Sequence, residues 1–213
     1  MNQTRTSKLE SAEDIFFGQV VVNWARWFLI AAGAFLVVGT SAGTGELALG
    51  ILPIIGLMAM NFYLHGRRLA ERPANRALIL LASLLDIVVI TLVILMWSGH
   101  TGLDSEFYIA YYPVVLAFAF VMPPKVTAVY TLIAVAAYAA ACLVTPEVFF
   151  VDGSSTNLLD LGALDVDAAK ALLMRMITIA AVGGLGTFYY RKQRDLRRQA
   201  AQGTVVERGI VTA

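Results

Sequence analysis

The chain has 213 residues, 59% of them hydrophobic and 15% charged, with a mean hydropathy of +0.73. A soluble domain is nearer half apolar and a quarter charged, so an ordinary water-soluble fold is excluded; the net charge of +1 by itself says nothing about nucleic acid, since local charge matters more, and no nucleic-acid partner is expected. A single cysteine, Cys142, excludes an intrachain disulfide or a thiolate metal cluster.

Apolar runs near the roughly 20 residues that a bilayer-spanning helix needs fall at 20–40, 47–65, 77–97, 106–122, 125–145 and 171–190. The expected fold class is all-α, an integral membrane bundle of six transmembrane helices. A cytoplasmic N-terminal segment covers 1–19, the transmembrane domain 20–190 and a basic cytoplasmic tail 191–213. The first run is too long for a signal-peptide core and follows a mostly polar stretch, so it reads as a retained helix. Ahead of it, "SKLESAEDIFFGQ" reads as a short amphipathic helix on the inner surface, with Ser7 or Ser11 as its cap.

The first span carries Arg26, about six residues in. The second ends near Asn61 and His65, and Arg67, Arg68, Arg72 and Arg76 follow it. The third contains Asp86. A central Asp costs about 2.5–3.5 kcal/mol on the insertion scale, whereas each Leu, Ile or Val returns about 0.3–0.6 kcal/mol. Fourteen such residues lie between Leu78 and Leu95, so the segment inserts despite its carboxylate. Asp86 lies roughly 13–14 Å from the inner end and Arg26 about 9 Å, a difference that an arginine can bridge. An Arg26–Asp86 ion pair with Asn61 nearby is therefore expected. Two readings stay open: a fixed pair that sets helix register, or a polar layer that rearranges. Ala82 and Ser83, one turn before Asp86, would let a partner helix approach closely.

The fourth span is aromatic, "FYIAYYPVVLAFAF". Tyr108, Tyr111 and Tyr112 share a face at helical spacing, beside Phe107, and Pro113 is expected to kink the helix by removing a backbone donor. These five residues are either an interfacial aromatic belt or the wall of a pocket for a flat apolar ligand. The fifth and sixth spans are rich in small residues, and Ala180 and Gly184 are spaced for close packing, either within the bundle or in a homodimer. Arg175 enters the sixth span from the outer side, to snorkel or to pair with Glu106, Asp104 or Glu46. The tail from Arg191 begins as a basic helix expected to lie on anionic lipid and to fray after Gly203. The loop from Pro146 to Lys170 is acidic; its "DGSSTN" lacks the closing glutamate of a calcium loop, and "EVFFV" is a candidate interfacial segment. His65 and His100 read as separate interfacial histidines.

Lys and Arg cluster before the first span, after the second, at Lys125 and after the sixth, while "SAGTGE" and "SGHTGLDSE" have neither. By the positive-inside rule both termini are cytoplasmic.

"ARWFLI", "MNFYL", "LLDIVVITLVIL", "SGHTGLDSEFYIAYYP" and "YYRKQRDLRRQ" occur in an order that resembles the six-helix membrane sensor region of bacterial histidine kinases of the PilS and RegB/PrrB type. The resemblance covers roughly residues 20–200. It implies a sensory module in the bacterial cytoplasmic (inner) membrane, a cue sensed in the bilayer, a quinone as candidate ligand and output through the last helix. The quinone-associated loop of that family, Gly-Gly-x-x-Asn-Pro-Phe, is echoed here only by Gly99, Gly102 and Phe107. Kinase domains and a phosphoacceptor histidine are not found in these 213 residues, so a separate signalling chain is the expected partner. No catalytic set, metal site or nucleotide loop is expected. The alternative is an accessory or scaffolding subunit of a membrane complex, with a lipid or quinone groove.

Overall fold

The computed structural model describes residues 2–41, 43–70, 76–97, 101–145 and 166–211, with side chains described apart from those of 2–19, 21, 68, 76, 197–198 and 200–211. Among the described residues the chain is helical throughout: α1 Asn2–Thr40, α2 Thr44–Leu69, α3 Arg76–Met96, α4 Tyr111–Val121, α5 Pro124–Val144 and α6 Val166–Val211. Two 3-10 turns, Gly102–Asp104 and Glu106–Ala110, precede α4.

Five segments are long and apolar enough to cross a membrane: Val22–Thr40, Thr44–Arg67, Ala77–Met96, Pro124–Val144 and Val166–Leu196. The fourth apolar segment, Glu106–Val121, is shorter. Its five residues of 3-10 helix rise more steeply than the α-helix that follows, so it still reaches roughly 26 Å, close to the thickness of a hydrocarbon core.

Polarity is inverted relative to a soluble fold. Asn23, Arg26, Asn61, Ser83, Asp86 and Thr127 are buried, while Phe28, Phe35, Leu52, Leu81, Leu132 and Phe188 are exposed. Apolar surface on that scale marks a face made for a membrane or a partner.

α4 is the hub, packed against α1, α3, α5 and α6, with α2 on the outside of α1. Tyr111, Val115, Phe118 and Ala119 of α4 are almost wholly buried. α5 offers the face Ala134, Tyr138, Ala141 and Cys142, which are three or four residues apart and all buried. Pro123 ends the preceding turn, and Pro124 opens α5 at a position where the missing N–H costs nothing.

Several local expectations are corrected. Ser7 and Ser11 lie inside α1, which continues unbroken into the first apolar segment, so neither begins a separate helix. Pro113 is the third residue of α4, which follows directly on the 3-10 turn Glu106–Ala110. α6 continues through Gly203 to Val211, since extending an existing helix needs no new nucleation. "DGSSTN", "EVFFV" and His100 lie outside the described residues.

α6 packs through Gly183 and Gly186, and the predicted pair Ala180 and Gly184 faces outward. A Cβ on Gly186 would lie 2.5 Å from Ala119 Cβ of α4, whereas one on Gly184 meets nothing within 4 Å. Gly186→Ala should therefore destabilise the protein by about 1–3 kcal/mol through overpacking. Gly184→Ala should be neutral or stabilising by up to about 1 kcal/mol. Thermal unfolding of both variants in detergent checks the contrast.

Candidate functional site

Three apolar helices converge on one polar layer. Asn23 and Arg26 are one turn apart on α1, Asn61 and His65 one turn apart on α2, and Ser83 and Asp86 three apart on α3. Such spacings place each couple on a single helix face. Arg26 Nε and NH2 both donate to Asp86 Oδ2, at 2.8 and 2.7 Å. The pair is 3% and 2% exposed, so water does little to weaken the attraction. Ala82 is fully buried and borders a small cavity beside Arg26.

Asn61 does not touch the ion pair directly. Its Nδ2 donates to the backbone carbonyl of Asn23 at 3.4 Å, and Asn23 Nδ2 in turn donates to His65 Nδ1 at 3.2 Å. α2 is thus tied to α1 one turn before Arg26. From the other side Tyr130 of α5 donates to the Ser83 carbonyl at 2.7 Å, with its ring stacked on Phe118 of α4 at 3.8 Å between centroids. The layer therefore links α1, α2, α3 and α5.

Hydrogen bonding within the layer is incomplete. Arg26 NH1, Asp86 Oδ1, Asn23 Oδ1 and Asn61 Oδ1 are buried without a hydrogen-bond partner. A cavity of about 10 Å³ touches Asn23, Arg26, Leu64 and Ala82, at the lower limit of what one water needs. Unsatisfied polar atoms cost free energy, so the layer is held together without being saturated.

Two of the five predicted pocket residues, Tyr108 and Tyr111, pack on the same ring of α5, Tyr138, at 6.1 and 6.0 Å between centroids. Phe107 packs on Trp97, 5.4 Å between centroids, and borders an apolar crevice that includes Leu29, Gly33, Gly50 and Pro53. Tyr111 is wholly buried, its hydroxyl 2.7 Å from Thr91 Oγ1. Tyr108 and Tyr112 meet edge to face at 6.0 Å. Tyr108 and Tyr111 are three apart across the 3-10 turn Glu106–Ala110, a spacing that aligns side chains on one face. Pro113 is half-buried at the start of α4.

Arg175 turns into the protein. Its NH1 donates to the Leu103 carbonyl and to Tyr138 OH, and its guanidinium lies 4.0 Å from the centre of the Tyr108 ring. A cation over an aromatic face is favoured where water is excluded. Glu106 and Asp104 are exposed and, among the described residues, neither is ion-paired with Arg175. Carbonyl, phenol and ring together supply what an acidic partner would have supplied.

No family model, curated protein or solved structure matches the chain.

Losing one partner of a buried ion pair leaves an uncompensated charge, which costs about 3–5 kcal/mol, whereas replacing both with apolar residues is near neutral. Arg26→Met and Asp86→Leu should each lower the unfolding midpoint in detergent strongly, and the double variant should recover most of the loss. Additive losses in the double variant would show that the two side chains are not coupled.

Proposed function

We propose that the chain is a multi-pass protein of the bacterial cytoplasmic membrane, with both termini in the cytoplasm. It acts as a non-catalytic sensory input module that passes a membrane-associated cue to a separate protein chain. The observation that carries this reading is α6, 46 unbroken residues from Val166 to Val211. At 1.5 Å per residue it spans about 69 Å, more than twice a hydrocarbon core of about 30 Å. A rigid helix of that length carries rotation or translation from the bundle to a partner beyond the membrane surface. Its N-terminal half packs on α4 and α5, the helices that adjoin the polar layer through Phe118 and Tyr130.

The order of motifs resembling PilS- and RegB-type sensor regions supports the same reading. So does the basic stretch Arg191, Lys192, Arg194, which marks the cytoplasmic exit of α6. The accessory-subunit alternative draws on the wide exposed apolar faces of α2 and α6, which suit a protein neighbour as well as lipid.

The test is affinity purification of the tagged chain from its native membranes in mild detergent, with mass spectrometry of what it holds. A co-purifying transmitter chain such as a kinase is the expected result. A co-purifying respiratory, photosynthetic or transport complex contradicts the sensor reading. Once the partner is in hand, one residue inserted after Arg194 turns the exit of α6 by about 100°. That insertion should abolish the partner's output without dissociating it, and a seven-residue insertion, which nearly restores the phase, should return it.

A further inference from the structure

We propose that the groove between α5 and α6 binds an anionic phospholipid, with an acyl chain along the groove and the phosphate between Lys125 and Arg191. This goes beyond the sensor reading and requires only that the two helices lie in a bilayer.

The groove has a volume of about 630 Å³, inside the range of roughly 300–1,000 Å³ typical of small-molecule sites. Its floor is built from small residues: Ala128 and Thr131 of α5, and Ala180, Gly183 and Gly184 of α6. The helices touch at Gly183, where a Cβ would lie 2.3 Å from Thr131 Oγ1. At Gly184 nothing stands within 4 Å, so the channel is open there. Thr131 is 8% exposed, and its Oγ1 has no hydrogen-bond partner, which leaves one polar atom on an otherwise apolar floor. Leu132 and Phe188 form hydrocarbon walls.

Charge is confined to one end. Lys125 opens α5, Arg191 lies on the antiparallel α6, and both border the groove there and are exposed. Among the described residues neither makes an ion pair. Two free cations at the mouth of a hydrocarbon channel complement an amphiphile with an anionic head and an apolar tail. A second copy of this chain is the poorer occupant, because two-fold packing on this face would bring both cations against their own copies, and like charges repel.

The probes are phosphatidylglycerol and phosphatidylcholine with matched acyl chains, added to the full-length protein in detergent and quantified by native mass spectrometry. A cation near an anionic lipid surface contributes about a five-fold gain in binding, so a preference for phosphatidylglycerol of about ten-fold or more is expected. Lys125→Gln with Arg191→Gln should remove that preference while leaving the unfolding midpoint without lipid unchanged. Gly184→Leu, which fills the open channel, should release both lipids. Equal retention of the two lipids overturns the proposal. A preference that survives Gly184→Leu also overturns it, since the basic tail would then be the source of attraction. Intermolecular disulfide formation by Gly184→Cys in lipid-replete membranes overturns it in favour of a second copy.

Discussion

Two full charges held among hydrocarbon side chains constrain everything around them. Once Arg26 and Asp86 leave water, each must keep the other, because either alone would be a buried unpaired ion. That requirement sets the register of α1 against α3. Ala82 and Ser83, one turn before Asp86, are both buried. The same requirement places Asn23 one turn from Arg26, where the amide can link α1 to α2 through His65 and Asn61. The contact uses one carboxylate oxygen for two guanidinium donors, so the pair is held while Asp86 Oδ1 and Arg26 NH1 keep spare capacity. A layer that is bound but not saturated can exchange partners without first exposing a charge.

At the other end of the bundle Arg175 has a comparable role without an acid. It joins α6 to the loop carbonyl of Leu103, to Tyr138 of α5 and to the Tyr108 ring. Gly102, with φ +59° and no room for a side chain beside Thr145, shapes that loop. α6 is thus fastened near its N-terminal end by a cation among aromatics and further along by glycine contacts with α4 and α5. Beyond them Tyr189 still meets Phe120 of α4 at 5.1 Å between ring centroids, and residues 191–196 are exposed.

Much of this was legible in the sequence because charge in hydrocarbon is rare. Arg26 and Asp86 stood out in their apolar runs, and matched depth alone proposed the contact. Asn23 and His65 were missed, since an amide near a helix end and a lone histidine look like ordinary interfacial residues. The available signal was their spacing, Asn23 three before Arg26 and His65 four after Asn61. Tyr130 bonds a main-chain oxygen, which no residue pattern announces. The aromatic segment was legible in part: spacing put Tyr108, Tyr111 and Tyr112 together, and their rings meet one another or Tyr138, whereas nothing in the pattern announced the five residues of 3-10 helix before α4. On α6 the alternation of small residues was visible, but whether Gly183 and Gly186 or Ala180 and Gly184 face inward depends on helix rotation, which only packing decides.

The most direct test of the central claim is the distance between the Arg26 guanidinium nitrogens and the Asp86 carboxyl carbon. Solid-state nuclear magnetic resonance on isotope-labelled protein in lipid bilayers can measure it, with Asp86→Asn as the control that assigns the signal. The account predicts strong dipolar coupling from a separation of about 4 Å, the span of an ion pair, lost in the Asp86→Asn control. Absence of that coupling in the native protein would mean that the two charges are not paired in the membrane, and the account of the polar layer would be wrong.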